Sequence, residues 1–144
     1  MDPHDFLRTA DSLLALNTTE ADLRSAISRA YYCCYHLIRI EVLSQMSLAL
    51  RQQAGVGGKL VEHGRLCMML KACKETAGIG THLENLKRLR HAADYELDRQ
   101  ISKTRASDAV QDARELIADM QTAGGPIVLV KILRTHLQSI HGTL

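Results

Sequence analysis

Apolar residues recur along this chain at spacings of three and four, the period of an amphipathic helix, in blocks separated by glycine-rich breaks. The clearest block holds Leu23, Ile27, Ala30, Tyr31, Cys34, Ile38 and Val42. It predicts a long helix that opens at Thr19, where Thr19 and Asp22 have capping-box spacing, and runs to about residue 53. Ahead of it, Asp2 to Leu16 reads as a first helix with Pro3 in its opening turn, where the missing N–H costs nothing. Ala54-Gly55-Val56-Gly57-Gly58 ends the long helix, and a third is expected over about 59–75, carrying Leu60, Cys67, Met68 and Leu70. Ala77-Gly78-Ile79-Gly80 reads as the next break. A fourth helix is expected over about 81–100 and a fifth over about 104–122, with Val110, Ala113, Ile117 and Met120 as its stripe. After Gly124-Gly125, Pro126 opens a last helix over about 126–141.

The fold class that follows is all-α, an up-and-down bundle of about five to six helices. One domain is expected over residues 1–144, with its core at about 5–122. Composition agrees: 46% of residues are hydrophobic and 3% aromatic, which supports a core but gives strands little to work with. The two prolines, Pro3 and Pro126, leave the middle of the chain free for helix. The net charge of +2 permits contact with nucleic acid without arguing for it. No apolar run is long enough to span a bilayer, and the four cysteines form no CxxC pair, so reduced, buried thiols and a cytoplasmic location are expected.

Two segments matter together: Arg24-Ser25-Ala26-Ile27-Ser28-Arg29-Ala30-Tyr31-Tyr32 and, about sixty residues on, Leu89-Arg90-His91-Ala92-Ala93-Asp94-Tyr95. In this order and in an all-helical frame they resemble HEPN domains, particularly the small stand-alone prokaryotic kind, over about residues 5–122. The resemblance implies a helical bundle that pairs as a two-fold homodimer. It also implies association with RNA or nucleotides in toxin–antitoxin or defence systems, or with a nucleotidyltransferase-like protein partner, and no cofactor. Active members carry an R-x4–6-H motif that forms a metal-independent ribonuclease site at the dimer cleft. Arg90 matches the arginine and His91 the polar residue after it, but positions 95 to 97 hold Tyr95, Glu96 and Leu97. The motif is degenerate.

Helical geometry speaks to Arg90 independently. At about 100° per residue, it falls inside the cluster formed by Leu83, Leu86, Leu89, Ala93 and Leu97. A guanidinium there needs a partner. One reading makes Arg90 and Asp94 a partly buried pair, with Glu41 as a further structural partner. The other has Arg90 bind phosphate, with Lys87 and Arg29 as further phosphate contacts and Ser28 in support. His91 and Tyr95, one turn apart, are the candidates for a substitute acid/base pair. A purely structural role for the same pair, and a non-catalytic interaction module for the whole chain, stay open beside it. His63 and Cys67 share a face with Cys73 nearby, but the four paired ligands of a zinc site are missing, so no metal is expected. No phosphate loop, nucleophile elbow or HExxH motif is present.

Overall fold

Thr19 and Asp22 cap each other's backbone. The Thr19 hydroxyl accepts from the Asp22 N–H at 3.3 Å and the Asp22 carboxylate accepts from the Thr19 N–H at 2.9 Å. That capping box starts helix α2 (Glu20–Leu37), which follows α1 (His4–Ala15) in the computed structural model. The structure describes residues 1–16, 19–42, 44, 46–53, 63–122, 124–125, 131, 134–135 and 139. Within them the chain is all-helical: a π-helical segment (Ile38–Val42) and α3 (Leu48–Gln53) follow α2, and then come α4 (His63–Ala72), α5 (Ala77–Tyr95) and α6 (Lys103–Thr122).

Helix α2 is the hub, packed by α1, α5 and α6, while α4 leans on α5. The periodic stripe understates its burial. Leu23, Ile27, Ala30, Tyr31, Cys34 and Ile38 are buried, and so are Ala26, Cys33, Tyr35 and Leu37 on its other sides. A helix buried nearly all round is the expected centre of a bundle. From α6, Val110, Ala113, Leu116 and Met120 complete the core, with Ile117 at its edge. All four cysteines are buried and unpaired.

Several sequence boundaries need correction. The long second helix does not run unbroken to residue 53: it widens to π geometry at Ile38 and yields to the separate α3. The Ser44 hydroxyl then takes the Ile40 carbonyl, a local bond that competes with the helical ladder. Ala77 to Gly80 opens α5 instead of breaking the chain. Gly80 is there because of contact: a Cβ at that position would lie 2.8 Å from the Lys71 backbone nitrogen. Buried Thr76 tightens the same corner by donating to the Leu70 carbonyl at 2.6 Å. Met68, one of the apolar residues that mark the third helix, is 68% exposed. The expected last helix and the start of the third lie largely outside the described residues.

Helix α5 stops at Tyr95, not near residue 100, because Arg24 caps it. The Arg24 guanidinium, with 12% of its side chain exposed, donates to the carbonyls of Ala93 (2.8 Å), Glu96 (3.2 Å) and Ala92 (3.4 Å). It also reaches the Arg99 carbonyl and the Glu20 carboxylate. The last carbonyls of a helix have no partners of their own and carry partial negative charge, so a cation here satisfies both deficits. Arg24→Ala should therefore lower unfolding free energy by about 2–3 kcal/mol in a denaturant titration. Arg24→Lys, which lacks the fork, should recover less than half of that. A loss below about 0.5 kcal/mol would remove the clamp from the account of the fold.

Candidate functional site

Helix α2 presents Tyr31, Tyr32, Tyr35 and His36 over little more than one turn, and residues from three other helices meet them. From α5, Arg90 lays its guanidinium over two phenol rings, with Cζ 5.3 Å from the Tyr31 centroid and 5.8 Å from that of Tyr32. From α1, Phe6 stacks on His36 with centroids 5.3 Å apart, and Arg29 of α2 lies 5.7 Å over the Phe6 ring. From α4, His63 stacks on Tyr35 at 4.1 Å and shares a hydrogen bond with the Tyr31 hydroxyl through Nδ1.

What holds Arg90 is decided by distance. Its Nη1 is 3.8 Å from the Asp94 carboxylate, beyond hydrogen-bond reach, with 12% and 29% of the two side chains exposed. A desolvated cation–π contact contributes on the order of 1–2 kcal/mol. The ring faces meet the guanidinium directly, whereas the carboxylate makes no hydrogen bond to it. Asp94 is itself oriented by Ser28, whose hydroxyl lies 3.4 Å from Oδ2. The Nε of Arg90 is buried with no acceptor among the described residues. That leaves a cation fixed in place with hydrogen-bonding capacity unspent, a state that ordinarily costs about 1–3 kcal/mol.

The imidazoles here are held neutral. Burial, then the charges of Arg90 and Lys87, then His36, keep His63 below the ordinary histidine value of 6.5. Burial, then Arg39, does the same to His36. Burial pushes the Tyr31 phenol far above its usual range, with Cys67 adding to the shift and Arg90 opposing it. Tyr31 therefore keeps its proton, and its hydroxyl shares one hydrogen bond with His63 Nδ1, the imidazole tautomer setting which of the two donates. Lys87 reaches α4 beside His63, where a Cβ on Gly64 would be 3.5 Å from its Nζ.

The residues singled out in the sequence fall into three groups. Arg90, Asp94 and Ser28 come together, with Lys87 close by at α4. Arg29 belongs to the same aromatic cluster but sits on its far side, over Phe6. His91 and Tyr95 face each other, with centroids 5.0 Å apart, on the exposed flank of α5. No described contact joins them to Arg90, Tyr31 or His63. The Glu41 side chain lies outside the described residues. Sequence reasoning missed His63, His36 and Phe6 at this site, and Arg24 as the clamp. The repeat of aromatic pairs at 31–32 and 35–36 was the available signal for His36. No local pattern marks His63, which follows the glycine-rich break.

No family model matches the chain, and no curated protein or solved structure is significantly similar to it.

Both histidines have folded values below 6.5, so in the pH window that opens below about 6.5 the unfolded chain binds more protons than the folded one. Their contribution to stability is complete above that window and is lost as pH falls through it. The denaturation midpoint should fall across the window, and the double variant His36→Gln/His63→Gln should flatten that fall. A double variant as steeply pH-dependent as the parent would refute the assignment.

Proposed function

We propose that the chain is a HEPN-like, RNA- or nucleotide-associated protein of a prokaryotic toxin–antitoxin or defence type. In this reading it works as a cytoplasmic homodimer and uses Arg90 to contact phosphate. The observation that carries it is Arg90 itself: a guanidinium seated on Tyr31 and Tyr32 with a buried Nε that has no protein acceptor among the described residues. With 12% of its side chain exposed, the guanidinium offers an arriving phosphate oxygen a charge-assisted partner at its open edge. Half-buried Phe6, Tyr32 and His36 beside it supply ring surface of the kind on which bases stack. Lys87 and Arg29 add positive charge at the two ends of the cluster.

The histidine that the R-x4–6-H motif lacks has a nearer substitute in His63 than in His91 or Tyr95. His63 lies in the field of Arg90 and is bonded to the Tyr31 hydroxyl beneath it, whereas the other two are exposed on a separate flank. Binding is the activity this reading commits to, and His63 is the residue to test for proton transfer if RNA is cleaved.

A second reading, a non-catalytic dimeric module that docks a nucleotidyltransferase-like protein, draws on the end of α5. Tyr95 and Leu97 stand 66% and 76% exposed there, an apolar pair of the kind that interfaces bury.

Fluorescence anisotropy with a single-stranded RNA in EDTA separates the two. Wild type should bind, and Arg90→Ala should weaken binding by about ten- to a hundredfold, the value of one or two charge-assisted hydrogen bonds. Arg90→Lys keeps the cation over the rings without the fork and should recover only part of the affinity. Absence of binding by well-folded wild type, or equal binding by all three proteins, would overturn the phosphate role. The interaction module would then become the working model. Any cleavage in the same tubes should vanish in His63→Gln and persist in His91→Gln.

A further inference from the structure

Helix α5 carries a second basic face. Arg88 lies about 160° around the helix from Arg90, at about 100° per residue. There Asn85, Arg88, Leu89 and Ala92 form one wall of a cleft of about 370 Å³, and Arg99 and Arg105 complete it from the loop after α5 and the first turn of α6. Three of the six lining residues are arginines and none is acidic.

The local carboxylates neutralise this charge only in part. Glu84, one turn before Arg88, bonds Lys71 at 2.8 Å and feels Arg88 more weakly. Glu96 pairs with Arg99 at 3.2 Å, on a side chain that is half exposed. Arg88 donates to the Asn85 amide oxygen. Among the described residues the Arg105 guanidinium has no side-chain partner, and its backbone N–H is taken by the Ser102 hydroxyl at 3.1 Å. Guanidiniums converging on a concavity without acids focus positive potential inside it. The start of α6 adds the partial positive charge of a helix N-terminus. The loop that brings Arg99 is pinned by Arg24, which holds the Arg99 carbonyl.

The geometry points to a second anion site, separate from the Arg90 cluster, for a ligand bearing two or more phosphate groups. The cleft is at the small end of ligand pockets, about 300–1,000 Å³, which suits a nucleoside polyphosphate or a short length of RNA backbone. The phosphates meet Arg88, Arg99 and Arg105 through paired N–H donors, and the Leu89–Ala92 wall takes an apolar base or sugar face.

Pyrophosphate, ATP and a short single-stranded RNA, each titrated into the full chain, test this by calorimetry and by amide NMR shifts. Pyrophosphate should bind with a Kd below about 1 mM at low salt. Its shifts should centre on Ala92, Arg99 and Arg105 and leave Tyr32 and His63 unmoved. Arg105→Ala removes no side-chain hydrogen bond or ion pair among the described residues, so it should melt like the parent, yet weaken pyrophosphate about five- to tenfold. ATP bound more tightly than RNA assigns the site to free nucleotides, and the reverse order assigns it to an RNA backbone. Three silent probes would overturn the proposal, as would binding that Arg105→Ala leaves unchanged. Pyrophosphate shifts confined to Tyr32 and His63 would also overturn it while leaving the Arg90 reading standing.

Discussion

The clamp of Arg24 on the end of α5 sets the register on which everything else in the bundle depends. It joins the second turn of α2 to the Ala92, Ala93 and Glu96 carbonyls, and from there the two helices run antiparallel with fixed correspondences. One turn on, Ser28 meets Asp94, and one turn further Tyr31 lies beneath Arg90. A slip of one residue would rotate α5 by about 100° and carry Arg90 off the rings. The same guanidinium terminates α5, holds the loop that carries Arg99, and ties down the start of α2 through Glu20. Charge-assisted bonds to otherwise orphaned carbonyls are costly to lose, so this one residue constrains both basic faces at once.

Arg90 shows how competing terms settle a buried cation. Burial opposes it, and Asp94 is too distant to compensate by hydrogen bonding. Two tyrosine faces compensate instead, and they do so without consuming N–H donors. A salt bridge in that place would have spent the guanidinium on the fold. Aromatic seating immobilises it and leaves its donors for another acceptor. The same cation helps keep His63 neutral, so the cluster combines a fixed positive charge with imidazoles that resist protonation.

Much of this was legible in the sequence wherever the deciding physics is local. The Thr19–Asp22 box, the apolar stripes of α2 and α6, and the awkward placement of Arg90 inside the α5 stripe all follow from spacing along one helix. The all-helical class follows from the same periodicity. What escaped was set by contacts between helices. Gly78 and Gly80 read as a break, yet Gly80 serves the close approach of α5 to Lys71 and Leu70. The end of α5 is dictated by Arg24, about seventy residues earlier in the chain, so no residue near Tyr95 announces it. Likewise His63 joins the site through Tyr31 and Tyr35, which belong to another helix. His91 and Tyr95 lie near Arg90 in sequence, but one and five steps of about 100° place them roughly 100° and 140° around the helix from it, where they face different neighbours.

The two faces of α5 differ in how much of a ligand's ordering cost folding has already met. Immobilising a long side chain on binding costs about 0.5–1.5 kcal/mol. Arg90 is fixed by two rings and Asp94 by Ser28, so a phosphate arriving there orders little that is not ordered already. Among the described residues Arg105 has no such support, and Arg88 and Arg99 are held by exposed local contacts with Asn85 and Glu96. Their cleft must organise its donors around the ligand as it binds. Long-range attraction and salt dependence should therefore dominate at the Arg88 cleft, whose guanidiniums stand nearer to solvent, where charges draw ligands from a distance and ions screen them. Directional hydrogen bonding should dominate at Arg90. A single helix, fixed at its end by one arginine from α2, thus presents a rigid donor on one side and an adaptable basic groove on the other.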